Sequence, residues 1–176
     1  MDEADWDSLR HQTRSIPGEF AGDCRDGPLE SSYTYFPASI EIDGESATDI
    51  GIRKKGFIGS QSVDKPGFRI NLDEYVEDTK LFCTDNITLN NSVQDPAMIR
   101  QCLTYQFFRD AGLPAPRCNM ARVSMNGDDL GIYVNVEPVK KKFLRENFSD
   151  DEGDLYEGTI TDFTRAWYST FESKTD

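Results

Sequence analysis

The segment GIRKKGFIGSQSVDKPGFRINL, residues 51–72, gathers the groups in this chain best able to engage a phosphate. Phosphate oxygens need backbone N–H donors and nearby cations. Gly56, Gly59 and Ser60 make a loop whose backbone could drape over such a group, and Arg53, Lys55, Lys65 and Arg69 supply positive charge. The spacing matches neither GxGxxG nor GxxxxGK. Taken alone, these residues equally describe an ordinary hairpin with exposed basic side chains. Gly56-Phe57-Ile58-Gly59 also has the GxxG spacing of a KH module; the acidic balance of the chain and the order of its elements speak against that reading.

Two further places bear on the same chemistry. A helix expected over residues 96–111 carries Arg100 and Gln101 near its start. In kinases the helix in this position presents a carboxylate to the phosphate-binding lysine, but here no Glu occurs before its end. Packing is therefore the main work expected of it, with Arg109 and Asp110 on the surface. The run Gly131–Glu137 alternates in character and ends in an acid, where backbone groups and a side chain could meet a nucleotide base. Alternatively Glu137 caps the helix that follows. The single histidine, His11, lies in an acidic N-terminal helix, which leaves a Ser/His/Asp or Cys/His triad without support. The acidic run Asp150-Asp151-Glu152-Gly153-Asp154 lacks the ligand spacing of an EF-hand loop and reads as a solvated turn. Cys24, Cys83, Cys102 and Cys118 form no CxxC pair, which argues against zinc. For Cys102 and Cys118 buried thiols are the default, with a disulfide the alternative in an oxidising compartment.

These groups need positioning, and the pattern around them is mixed α+β. Asp2–Arg14 reads as a short helix with Trp6 and Leu9 on one side. Residues 15–35 turn to Gly, Pro, Ser and charge, a long surface connection. Phe36–Ile42 alternates as a half-buried strand, turned by Asp43-Gly44 into a second strand over Ile50–Lys55. Phe68–Leu72 and Ile87–Leu89 read as further strands. Asp95 and Pro96 suit the cap and first position of the helix. Met98, Ile99, Cys102, Leu103, Tyr105 and Phe107 would form its apolar face. Gly112 and Pro114 stop it. Asn126-Gly127 is a strong hairpin signal between two β-like runs. Val139–Asn147 reads as a basic amphipathic helix and Leu155-Tyr156 as a short strand.

At 176 residues the chain can bury one sizeable core. A net charge of −13 repels nucleic-acid backbones and anionic membrane surfaces. No apolar run reaches spanning length, so neither a nucleic-acid partner nor membrane insertion is expected. The N-terminus MDEADWDSLRHQTR lacks a signal-peptide pattern.

Taken together, GIRKKGFIGS, KPGFRINL, LNNSVQDPAMIRQCLTYQFFRDAGLPAPR, VSMNGDDLGIYVNVEPVKKKFL and GDLYEG resemble, in order over residues 36–158, the CotH kinase family, named for a spore-coat protein. The resemblance implies the N-lobe of a kinase-like fold: a mostly antiparallel sheet with a packed helix. It also implies ATP and Mg²⁺ as cofactors of the full-length parent, and transfer to Ser or Thr hydroxyls of a protein substrate. It places Arg53, Lys55, Gly56, Gly59, Ser60, Lys65 and Arg69 around the phosphates and Glu137 at the hinge beside the adenine. Family members often have Arg-Glu where this chain has Arg100-Gln101. Their catalytic-loop and metal-binding Asp/Asn motifs come downstream of the GDLYEG-like strand, and residues 159–176 form none. The expectation is a single partial domain over 1–176, with the C-lobe largely absent, no catalytic or metal-binding residue of its own, and no activity alone. The family favours an extracellular, cell-surface or spore-coat setting. The alternative is a non-catalytic surface, adhesion or spore-coat structural module on the same scaffold, binding its partner through residues 15–35.

Overall fold

A computed structural model of the chain describes residues 1–15, 27–29, 31–150 and 152–175. The chain divides into two compact units, Met1–Thr13 with Tyr33–Pro138, and Arg14–Ser32 with Val139–Asp176. The surface connection expected over 15–35 lies largely outside the described residues.

The first unit is α+β. It opens with α1 (Glu3–His11) and contains one sheet built from β1 (Phe36–Ile42), β2 (Glu45–Lys55), β3 (Gly67–Asn71), β4 (Asn86–Asn90), β5 (Cys118–Met125) and β6 (Asp128–Val136), with α2 (Arg100–Asp110) between β4 and β5. The spatial order is β1-β2-β3-β4-β6-β5 and every pair is antiparallel. Both tight hairpins form where the dipeptides demand them. Asp43 and Gly44 have φ of 49° and 88°, Asn126 and Gly127 of 51° and 92°, the paired positive values that match the twist of the flanking strands.

Period-2 alternation divides the sheet into two faces. One face holds Ile50 and Ile52 of β2, Phe68 and Ile70 of β3, Leu89 of β4 and Tyr133 of β6, all buried with Leu9 of α1. Trp6 tilts against Phe68 at 6.2 Å between ring centroids, and Phe68 stacks on Tyr133 at 5.7 Å. Lys54 falls in register with Ile50 and Ile52 and is 0% exposed. Its Nζ donates to the Arg10 carbonyl at 2.5 Å, at the C-terminal end of α1. Burial pushes its pKa below the usual lysine value, because an ammonium loses hydration there. At the other end of α1, Asp2 Oδ1 accepts from Ala4 N–H at 2.8 Å, satisfying one of the orphan donors of the first turn.

The second helix departs from expectation in two ways. It begins at Arg100, not Pro96, because Met98 has a φ of 56°, which no right-handed helix accommodates. Asp95 still serves the helix: its Oδ2 accepts from Arg100 N–H at 2.8 Å. The expected apolar packing face is also uncovered. No residue of α2 is buried, and Leu103 and Phe107 are 63% and 66% exposed. A disulfide between Cys102 and Cys118, with Cα atoms 5.3 Å apart, ties α2 to β5 instead, resolving the open question about these cysteines. The expected stop at Gly112 does form. Gly112 has a φ of 79°, and Leu113 N–H reaches back to the Phe108 carbonyl at 2.9 Å, the bond that closes a Schellman motif.

The second unit contains α3 (Lys141–Asn147), β7 (Tyr156–Gly158), a 3₁₀ turn over Arg165–Thr170 and β8 (Phe171–Ser173). Strands β7 and β8 pair antiparallel. Lys174 Nζ bridges Glu157 at 3.1 Å and Glu172 at 2.6 Å across them. No helix among the described residues is long and apolar enough to cross a membrane.

Candidate phosphate site

The face of the sheet opposite the core is polar because the residues between the core positions are Arg53 and Lys55 on β2, Arg69 on β3, and Asn86, Thr88 and Asn90 on β4. Above one end of this face sits the loop after β2. Its conformation is set by two glycines and a serine. Ser60 Oγ accepts from Phe57 N–H at 2.9 Å, and Ser60 N–H donates to the Phe57 carbonyl at 3.1 Å, closing a tight turn. Within that turn Gly59 has a φ of 76°, in the left-handed region that glycine adopts without strain, and its Cα faces the end of the Gln94 side chain. Asn91, itself buried, clamps the loop from the end of β4: its Nδ2 donates to the Ser60 carbonyl at 2.9 Å and to the Lys65 carbonyl at 2.7 Å.

Between this loop, the end of β4 and the start of α2 lies a cavity of about 390 Å³, lined by Lys55, Gly56, Ser60, Asn90, Asp95 and Arg100 among others. Lys55 Nζ donates to Asn90 Oδ1 at 2.6 Å. Asn90 Nδ2 in turn donates to Gln101 Oε1 at 2.7 Å, and Gln101 Nε2 to the Tyr105 hydroxyl at 3.2 Å. A chain of neutral amides therefore orients the ammonium from β2 to α2 across β4. Among its described lining residues the cavity collects two cations, Lys55 and Arg100, against the carboxylate of Asp95, which lies 3.5 Å from Arg100 Nε. That donor set suits an oxyanion.

The residues singled out from sequence divide into three groups. Lys55, Gly56 and Ser60 line the cavity, with Gly59 packed against Gln94, another of its lining residues. Arg53 and Arg69 share the polar face as direct cross-strand partners but lie outside the lining. Lys65 and Glu137 are engaged elsewhere. Lys65 Nζ donates to the Ile132 carbonyl at 2.8 Å and sits 5.1 Å from the Tyr133 ring centroid. Glu137, 13% exposed at its side chain, pairs with the Arg117 guanidinium and accepts from Arg117 N–H at 2.9 Å. It thus ties together the open end of the β5–β6 hairpin. Asn90, Asn91, Gln94 and Arg100 are contributions the sequence reading did not assign. For Asn90 and Asn91 the sequence offers only the turn-forming tripeptide Asn90-Asn91-Ser92. Among the described residues no group of three or more His, Cys, Asp or Glu side chains is placed to hold a metal ion.

Residues 40–176 match the family described as CotH kinase protein. Over 70 residues, 40% of this chain, the sequence is 33% identical to the inner spore coat protein H of Bacillus subtilis (strain 168), and that stretch is 19% of the relative's length. Over 49 residues, 28% of this chain, it is 39% identical to an inner spore coat protein H-like protein of the same strain, covering 16% of that protein. The matched stretches thus span less than a fifth of either relative.

Proposed function

This chain belongs to the CotH kinase protein family, and from that premise we propose that its six-stranded unit is the phosphate-binding, N-lobe-like part of a protein phosphotransferase. In the full parent it would hold the phosphates of Mg-ATP while the γ-phosphoryl group passes to a Ser or Thr hydroxyl of a protein substrate. One observation carries the reading: Lys55, Ser60 and Arg100 converge on a single cavity under a glycine-bearing loop. Positioned cations and N–H donors are what phosphoryl transfer asks of this side of a site, since the chemistry consists mostly of alignment and charge stabilisation. Lys55, held by Asn90, would neutralise a phosphate oxygen, and Arg100 would approach from the start of α2. Magnesium would supply further charge neutralisation at the phosphates. The described residues gather no acidic cluster that would hold it.

Calorimetric titration of the protein with Mg-ATP tests the reading. Saturable binding is expected, and Lys55→Met should weaken it at least tenfold without lowering the melting temperature by more than a few degrees. Absence of nucleotide binding, or equal affinity in the variant, would overturn it.

A second reading, a non-catalytic coat or surface module, draws on the exposed Leu103 and Phe107 of α2. On that account Leu103→Glu would abolish incorporation into a protein assembly and nucleotide would have no effect.

A further inference from the structure

Helix α2 divides along its length into two arcs. Gln101, Cys102, Tyr105 and Arg109 make its contacts with the rest of the unit or with one another: Gln101 with Asn90 and Tyr105, Cys102 with Cys118, and Arg109 with the Pro116 carbonyl. Steps of four residues keep Gln101, Tyr105 and Arg109 on one side of the helix. Another arc holds Arg100, Leu103, Phe107 and Asp110, at three- and four-residue steps. Leu103 and Phe107 are the uncovered residues of this helix, and Ile99, also exposed, prolongs their ridge toward the N-terminus.

The order of residues along that arc is an independent pointer. Leu103 and Phe107 lie two residues to either side of Tyr105, and Arg100 and Asp110 lie five residues to either side. The Arg100 side chain is 74% exposed. Asp110 is exposed as well, with its Oδ1 accepting from Gln106 Nε2 at 2.6 Å. An apolar pair is thus flanked by opposite charges at equal distances. Two copies of this arc laid antiparallel set Leu103 against the other copy's Phe107 twice, and Arg100 against the other copy's Asp110 at both ends. Isologous two-fold association requires such self-complementarity. A partner carrying charge of one sign throughout would meet repulsion at one end.

We propose that this arc of α2 is a homodimer contact, through which two copies of the chain associate antiparallel about a two-fold axis at the level of Tyr105. Burial of Leu103 and Phe107 supplies the attraction, and the two Arg100–Asp110 pairs fix direction and register. The Cys102–Cys118 disulfide already holds the helix in place, which lowers the ordering cost of association. The net charge of −13 makes two copies repel at long range, and salt screens that repulsion. A contact confined to one 11-residue helix per copy is small, so the dimer is weak and concentration-dependent. Arg100 also lines the Lys55 cavity, but the contact needs no nucleotide, so dimerisation and Mg-ATP binding can fail separately.

Sedimentation equilibrium of the oxidised protein without nucleotide, at about 150 mM salt, tests the assignment; non-reducing electrophoresis accounts for covalent species. The wild type should show a reversible monomer–dimer equilibrium, which Leu103→Glu should weaken at least tenfold. Arg100→Glu and Asp110→Arg should each weaken it, because either change sets like charges against each other at both ends. An equimolar mixture of those two variants should restore association, since each Arg again meets an acid. A wild type that stays monomeric up to about 1 mM overturns the proposal and leaves the ridge to the remainder of a longer chain or to another protein. A dimer indifferent to Leu103→Glu, or a mixture no stronger than its components, overturns it too. Where a charge variant fails to fold, the wild type and Leu103→Glu still decide.

Discussion

The two helices of the six-stranded unit are attached to their sheet by opposite means. Helix α1 is fixed by burial: Leu9 is fully enclosed, Trp6 packs against the core, and the buried Lys54 ammonium holds the carbonyl of Arg10. Helix α2 buries nothing and is fixed by polar and covalent links, through the Cys102–Cys118 disulfide and the Gln101–Asn90 hydrogen bond. An element held by burial depends on solvent and temperature; one held by a disulfide depends on redox conditions. The difference also sorts roles. The buried helix completes a core, while the tethered one brings Arg100 to the cavity under the glycine loop and Gln101 to Asn90, and leaves its apolar ridge exposed.

The largest effect that would sharpen this contrast is truncation within each helix. Leu9→Ala should cost about 2–5 kcal/mol of unfolding free energy, as large-to-small changes in a closed core do. Leu103→Ala on α2 should stay within about 0.5 kcal/mol. Urea unfolding measures both, and comparable losses would break the comparison. Next comes the covalent tether. Cys118→Ser, or reduction, should lower stability by about 3 kcal/mol for a loop of this size. Hydrogen exchange should then accelerate in α2 while the β2–β3 amides keep their protection. The smallest effect is the pH response of Lys54. Burial holds its folded-state pKa below that of the unfolded chain, so between those two values the unfolded state binds more protons and stability rises with pH. The urea midpoint of the wild type should climb as pH approaches 10, and Lys54→Met should lose this climb.

Local chemistry made much of the architecture legible. Asp43-Gly44 and Asn126-Gly127 dictate their turns through paired positive φ, and Phe36–Ile42 shows its alternation plainly. The glycine loop, Lys55 and Ser60 stand out by type and spacing; that Asn90, Asn91 and Arg100 line the same cavity shows only once β4 and α2 meet the loop in space. Tertiary context also accounts for the errors. A helix start at Pro96 satisfied every local rule, but Met98 takes a left-handed conformation that postpones it to Arg100. The periodic apolar residues of α2 promised packing, and periodicity cannot say whether a partner surface exists. Lys54 carried a signal in its register with Ile50 and Ile52, which its residue type concealed. Lys65 Nζ donates to the Ile132 carbonyl and Glu137 pairs with Arg117, contacts that only the folded sheet discloses.

The seam between β4 and β6 is short, pairing only Thr88 with Val136, Leu89 with Asn135 and Asn90 with Val134. It divides the sheet into a meander of β1 through β4 and a locally closed hairpin of β5 and β6, with α2 bolted to the hairpin side by its disulfide. Asn90 sits on that dividing line and grips Lys55 on one side and Gln101 on the other. Asn90 is thus the joint through which α2 and the Lys55 ammonium are linked, and a substitution that removed its amide would uncouple the two.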